Sequence, residues 1–391
     1  MTSYDVVVVG ARVAGASTAL LLARAGARVA VVDRSRYASD TVSTHGLMRA
    51  GVLQLSRWGL LDRVVAAGTP PVRRTTFHYR DDEPVQISIL PSPGVDALYA
   101  PRRHLLDRLL VDAAEEAGAE ILHGTRVTGL LRDDTGRVTG VRTGTGDLHA
   151  RFVVGADGVK SLVAREVAAP TLRTGTWASA VRYAYFGGLE PTGYEWSYGD
   201  GIAAGIIPTN DGLSCLFVAT SPTRMRTLRL GRPDDGAFAT LFRLAAPEQA
   251  GRLAAATRAG RFHGWAGMPG FARRSWGPGW SLVGDAGHFK DPISTHGITD
   301  ALRDAELLAS ALLEAMSGAR PEATALAGYQ RHREALSAQL FAASDEIAAY
   351  DWDGSSVQPL LRRVSASMTD EVELLESLPA AAPSWHRAPS R

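Results

Sequence analysis

The residues best suited to chemistry fall in three turns rich in glycine and aspartate. The first is Gly10-Ala11-Arg12-Val13-Ala14-Gly15, with Asp33 farther along. A dinucleotide fingerprint reads G-x-G-x-x-G, with an acidic residue about twenty positions on. Its first glycine makes the tight turn, its second lets backbone approach a pyrophosphate, and its third brings helix against strand. The pyrophosphate then sits on the positive end of the helix. Gly10 and Gly15 fit, Val13 and Ala14 open the helix, and Asp33 stands where ribose hydroxyls would lie. Arg12 takes the place of the second glycine, which leaves two readings. Either it is a solvated residue at a turn without nucleotide, or its guanidinium reaches phosphate or the rest of a cofactor while the backbone still approaches.

The second turn is Gly155-Ala156-Asp157-Gly158, followed by Ser161 and Arg165. The third is Gly284-Asp285-Ala286-Gly287-His288, followed by Asp291-Pro292 and Gly297. Each leaves a strand-like apolar run, which puts its polar groups at the carboxyl edge of a sheet, where open α/β folds bind ligands.

The elements that must position these turns are readable from periodicity. Asp5–Val9, Arg28–Val32, Phe152–Gly155 and Trp280–Val283 read as buried strands, and 13–25 as a helix with small residues, so the chain opens with a βαβ unit. Helices are expected over 47–66, 102–117 and 298–316, and strands over 119–123, 125–131 and 138–143. Residues 74–100 and 175–274 alternate short strands with turn residues, apart from a helical stretch near 236–258. The remainder is mainly helical, with a loose Ala/Pro/Ser-rich tail from Ala380.

Composition narrows the function. A net charge of +1 in 391 residues argues against nucleic acid as the main partner and for small molecules. A single cysteine, Cys215 in an apolar run, excludes an intrachain disulfide and a cysteine-rich metal site, and no metal is expected. Neither a signal peptide nor a membrane-spanning stretch is visible, so a cytoplasmic location is the expectation. Oligomeric state is not readable.

Together, in this order, the three motifs resemble those of the class A flavoprotein monooxygenases, the para-hydroxybenzoate-hydroxylase-like family, and of its geranylgeranyl-reductase and halogenase relatives, over residues 4–330. The resemblance implies an α/β fold: a Rossmann-like FAD-binding domain, an inserted antiparallel β-sheet substrate domain and a C-terminal helical segment. On that plan 1–75, 101–174 and 275–330 form the FAD-binding domain, 76–100 and 175–274 the substrate domain, and 331–391 the helical segment. It further implies that Asp285 binds the ribityl chain, that Pro292 lies against the isoalloxazine, and that Arg103 contacts FAD. Arg34, Thr44, Val127 and Gly284 belong to the same implied cofactor shell, with N-capping of the following helix by Ser43 or Thr44 as the alternative for that loop. Backbone amides around Gly297–Thr299 would face the flavin N1–C2=O edge. A helix starting near Ile298 independently favours negative charge there. Asp157 is either a support for the cofactor or a structural turn cap. His45, in the loop Asp40–Gly46, and His296, beside Pro292, are candidates for proton transfer, with a structural hydrogen-bonded histidine the alternative for each.

By the same resemblance, reduced flavin and O₂ form a C4a-hydroperoxide that hydroxylates or epoxidises an apolar, aromatic or polycyclic molecule. NADPH or NADH would reduce the flavin in passing, or a separate flavin reductase would supply it reduced, since no second complete fingerprint exists. Tyr183, Tyr185 and Trp196 are the expected substrate wall, with ordinary cross-strand packing as the alternative. Reduction of carbon–carbon bonds is the second function considered. Halogenation lacks its Trp-x-Trp-x-Ile-Pro signature, the nearest stretch being Ala203–Pro208. A non-catalytic FAD-binding role is the last.

Overall fold

Four consecutive valines, Val6–Val9, are buried on both faces of strand β1 (Ser3–Val9), as a central parallel strand requires. The computed structural model describes residues 3–80, 82–229 and 234–378; the tail expected from Ala380 lies outside the described residues. Around β1 the strands β2 (Val29–Asp33), β3 (Glu120–His123), β4 (Gly146–Gly155) and β5 (Trp280–Leu282) form a parallel array in the order β5-β4-β1-β2-β3. An antiparallel meander, Val127–Arg132 with Val138–Thr143, extends it from β4. The chain leaves β1 toward β2 on one side and returns to β4 on the other, so the crevice between the ends of β1 and β4 is the topological switch point.

Helix α1 (Val13–Arg24) follows β1 and is buried at ten of its positions, from Val13 to Ala23. Its small residues let it sit between the sheet, helix α2 (Arg103–Glu116) and helix α4 (Gly297–Ser317). A short helix α3 (Leu162–Glu166) follows β4. Of two long C-terminal helices, α5 (Glu322–Ile347) packs on α4, and α6 (Val357–Ser377) packs on α5 and on the helix Arg49–Arg57.

A second sheet of seven strands runs in the order 257–265, 180–187, 214–220, 202–208, 194–199, 74–78, 85–88. It is antiparallel except where Tyr194–Gly199 pairs in parallel with Arg74–His78, which joins the early segment to the late one. Cys215 is buried in it opposite Tyr185.

Three expectations shift in detail. The helix expected over 47–66 is two, Arg49–Arg57 and Leu61–Ala66, broken at Gly59, whose φ of +70° suits glycine. The helical stretch near 236–258 ends earlier, because 257–265 is the edge strand beside Ala180–Gly187. The strand expected at 152–155 begins at Gly146, its polar first half pairing with the meander.

The first turn is held by contacts that only glycine permits. Gly10 has φ +108°, and a β-carbon there would lie 2.5 Å from the carbonyl oxygen of Ala156. Replacing Gly10 by alanine therefore combines overpacking with an unfavourable backbone conformation. We expect Gly10→Ala to lower stability by about 2–5 kcal/mol, read from urea unfolding of the flavin-free chain. A loss under about 1 kcal/mol would mean that the β1 and β4 turns relax apart at little cost.

Candidate functional site

All three motif turns open on one cavity of about 670 Å³ at the carboxyl edge of the parallel sheet. At one end lie Gly10, Arg12, Val13, Ala14, Asp33 and Arg34. The first hydrogen bond of α1 runs from Ala16 N–H to the Arg12 carbonyl, so the amides of Val13, Ala14 and Gly15 are free of helical partners. Gly15 is buried and packs its α-carbon on the turn: a β-carbon there would sit 1.8 Å from the Gly10 carbonyl oxygen. Asp33 accepts N–H bonds from Ala11 and Ser35, each 2.6 Å, so it ties the end of β2 to the turn after β1 while lining the cavity.

Arg12 fits neither sequence reading alone. Its guanidinium forms an ion pair with Asp107 of α2 at 2.9 Å and donates to the carbonyls of Ser39 and Asp40. The side chain is 29% exposed, so it is a brace across the cavity mouth, joining the turn to α2 and to the 39–40 loop.

Farther along the wall come Arg103, Val127, Asp157 and Asp285. Arg103 chelates Asp107 through Nε and Nη2, at 2.9 and 3.1 Å. Asp157 takes the hydroxyl of Ser161 and the amides of Leu162 and Val163, so the turn-cap role is met in full while the residue still faces the cavity. Burial raises its pKa against these bonds. Asp285 differs: among the described residues no hydrogen bond reaches its carboxylate, and burial, with help from Asp300, pushes its pKa up to about 7. Gly284, at φ +57°, lets this turn close on α1, since a β-carbon there would meet that of Ala14 at 2.9 Å.

The other end is bounded by the 41–46 loop, Pro292–Gly297 and the start of α4. Asp300 N–H is the first to bond back, to the His296 carbonyl, which leaves Gly297, Ile298 and Thr299 with free amides. Thr44, Pro292, Gly297 and Ile298 all line this end. His45 and Thr295, both non-glycine and both on the cavity wall, have positive φ of 69° and 52°. Such strain concentrates at functional positions. His45 is buried, its Nε2 lies 2.5 Å from the Tyr185 hydroxyl, and its Nδ1 has no partner. Burial, then Arg103 and Arg102, lower its pKa to about 3, so it is neutral near pH 7. His296 is also on the wall, but its Nε2 is engaged by Glu371 of α6 at 2.6 Å.

Val181, Tyr183, Phe217, Ala219, Trp265 and Phe289 make an apolar wall facing the motif turns. Tyr183 accepts the Ser43 amide at 3.0 Å and stacks on His263. Two of the aromatic residues singled out in the sequence are displaced from this wall. Tyr185 lies behind it, bonded to His45 and covered by Arg102 at 3.7 Å, and Trp196 packs on Phe217 and Tyr194. Sequence reasoning passed over Phe217 and Trp265, which share a face only once the sheet is assembled. It also passed over Lys290, Asp300, Arg303 and Glu371. A signal for the last was present: Glu371 sits in helical register with buried Val364, Ser367 and Leu375.

The residues fit FAD. The turn after β1 packs backbone on backbone against Ala156, two helix starts offer free amides on the cavity wall, and the Asp285 carboxylate on that wall has no hydrogen-bond partner among the described residues.

A family model described as FAD binding domain matches residues 3–215. The chain is 30% identical over 240 residues to YdiS of Escherichia coli, which covers 60% of this chain and 50% of YdiS. It thus spans about half the length of that relative. It is 30% identical over 338 residues to the menaquinone reductase of Mycolicibacterium smegmatis, covering 79% of this chain and 76% of the reductase. Among solved structures, PqsL, a probable FAD-dependent monooxygenase from Pseudomonas aeruginosa, in complex with 2-aminobenzoylacetate, superposes with a TM-score of 0.81 at 26% identity, covering 92% of this chain and all (100%) of PqsL.

Two outcomes follow from the geometry. The folded pKa of Asp285 lies above the ordinary value of about 4, so the unfolded chain binds fewer protons between those values and stability falls as pH rises from about 4 to about 7. Allowing for screening by water in the cavity, the flavin-free chain should lose roughly 2 kcal/mol over that range. Asp285→Asn should remove that part of the slope and leave the part due to Asp291, whose pKa burial raises to about 6, measured by urea midpoints at several pH values; an unchanged slope would place the proton uptake elsewhere. For Arg12→Gly, which restores the fingerprint glycine, we expect FAD affinity to fall about threefold to tenfold, because the brace to Asp107 is lost. Titration of flavin-free protein with FAD at low and high salt checks this, and tighter binding would contradict it.

Proposed function

The chain belongs to the FAD binding domain family, and from that premise we propose that it is an FAD-dependent monooxygenase acting on an apolar, aromatic or polycyclic small molecule. The observation that carries this reading is the two-sided cavity, with motif turns and helix starts on one side and an apolar aromatic wall on the other. FAD, when bound, supplies the redox chemistry and the reaction with O₂. The chain's own residues bind, orient and exclude water. Amides of Val13–Gly15 hold the pyrophosphate, Asp33 and Arg103 the adenosine end, and Asp285 the ribityl hydroxyls. Amides of Gly297–Thr299 favour negative charge on the ring system at the start of α4.

Tyr183, Phe217 and Trp265 enclose the substrate and keep water from the reacting atoms. Trp265 Nε1 is buried without a partner among the described residues, an anchor for a carbonyl or hydroxyl oxygen of the substrate. His45, neutral and held by Tyr185, keeps Nδ1, which has no partner among the described residues, for a hydrogen bond with the substrate. The similarity to PqsL, crystallised with an aromatic keto acid, supports this class of ligand.

A second reading, reduction of a quinone or a carbon–carbon double bond, is favoured by the similarity to the menaquinone reductase. One experiment separates the two. Purified yellow protein is supplied with NADPH or NADH, with and without a separate flavin reductase, and with planar aromatic substrates and menaquinone. We expect substrate-dependent O₂ consumption and a product heavier by one oxygen atom. A product gaining only two hydrogens, formed equally well without O₂, would establish the reductase reading instead.

A further inference from the structure

The C-terminal helix α6 reaches into the cavity wall through one side chain. Glu371 is 2% exposed, and its Oε2 lies 2.6 Å from Nε2 of His296, itself 1% exposed. Its other oxygen, Oε1, accepts from Nη1 of Arg303 at 2.8 Å. Arg303 also binds Asp300 at 2.8 Å, Asp304 at 2.7 Å and the Ser337 hydroxyl at 3.1 Å, and Lys290 closes on Asp300 at 2.7 Å. His296, Asp300 and Lys290 face the cavity, while Arg303 and Glu371 stand behind them.

His296, Asp300 and Glu371 are ligand types for a metal, with donor atoms within 4.8 Å of one another. Here the positive charge is already in place, because Nη1 of Arg303 lies 2.8 Å from both Asp300 and Glu371 and Lys290 covers Asp300. A different role fits the geometry. Burial opposes ionisation of Glu371, but His296 and Arg303 outweigh it and hold the carboxyl below its ordinary range. An ionised carboxylate only accepts, so the hydrogen in this bond sits on Nε2 of His296. The ring nitrogen left over is Nδ1, which is buried and has no partner among the described residues.

We propose that Glu371 is a positioning residue: it fixes the orientation and tautomer of His296 where that residue lines the flavin cavity at the start of α4. The proposal rests on the FAD reading above. It makes α6, which lies beyond the matched FAD binding domain, a part of the site. The same logic governs histidines whose far nitrogen is held by a carboxylate, where loss of the carboxylate weakens the near nitrogen's ligand.

The test is a double-mutant cycle on FAD binding, with histidine ¹⁵N NMR as a second readout. Flavin-free wild type, Glu371→Gln, His296→Asn and the double variant are titrated with FAD. Glu371→Gln should weaken binding about tenfold, and should weaken it no further once His296 is Asn. In wild type the His296 signals should show hydrogen on Nε2, and Glu371→Gln should shift them. Equal losses in both backgrounds would mean that Glu371 acts only through general stability, which overturns the proposal. So would a wild-type His296 carrying its hydrogen on Nδ1 alone, a result obtainable even if Glu371→Gln does not fold. A wild-type chain that takes up no FAD would sink the FAD reading instead, and the NMR result on that chain would still decide the tautomer.

Discussion

The distance between residue 10 and the carbonyl of Ala156 governs this molecule. A single β-carbon at position 10 would lie 2.5 Å from that oxygen, and one at position 15 would strike the Gly10 carbonyl itself. Two strands that are neighbours in space but far apart in the chain can therefore end side by side only because both positions are glycine. Everything on the cofactor side follows from that closeness. The amides of α1 point across the switch point, the β5 turn closes over Ala14, and α4 starts at the far end of the same space. A looser junction would leave the same residues on a broad, wet edge, where free amides and dipoles are worth far less.

The second constraint is charge. Asp300, Asp304 and Glu371 are buried together with Arg303 and Lys290, and α4 carries three of these five. Burying ion pairs gains little net stability, because desolvation offsets attraction, but removing one partner is costly. Such a cluster therefore locates more than it strengthens. It specifies one register of α4 against α6 and one position for the helix start. Thr295 in a left-handed conformation, immediately before that start, can persist only against surroundings this well determined.

What the sequence showed and what it hid divide along the same line. The turns and the strands they leave were readable, because glycine at a tight approach and valine in a buried parallel strand are local requirements with local signatures. The end of the helical stretch at Ala255 was not, since pairing of 257–265 with 180–187 decided it. Among site residues, Asp285 announced itself by its motif, whereas Trp265 and Phe217 became neighbours only through the order of the second sheet. Tyr185 and Trp196 were misjudged for the converse reason. Alternation along a strand says which face a side chain takes, not whether that face meets the cavity or a second layer of side chains.

Arg12 shows why a departure from a motif must be read through its geometry. The second fingerprint glycine is needed for space, not for backbone freedom: residue 12 has φ −89° and ψ −171°, an extended conformation that any residue adopts. A side chain is tolerable there if something draws it off the line of the phosphates. Asp107 does so at 2.9 Å, with the carbonyls of the 39–40 loop taking the remaining donors. Asp107 in turn holds Arg103, so one carboxylate on α2 disposes two cations at the mouth. The substitution is thus compensated across three chain segments. It converts a glycine whose only function was absence into a brace that helps close the loop bearing His45.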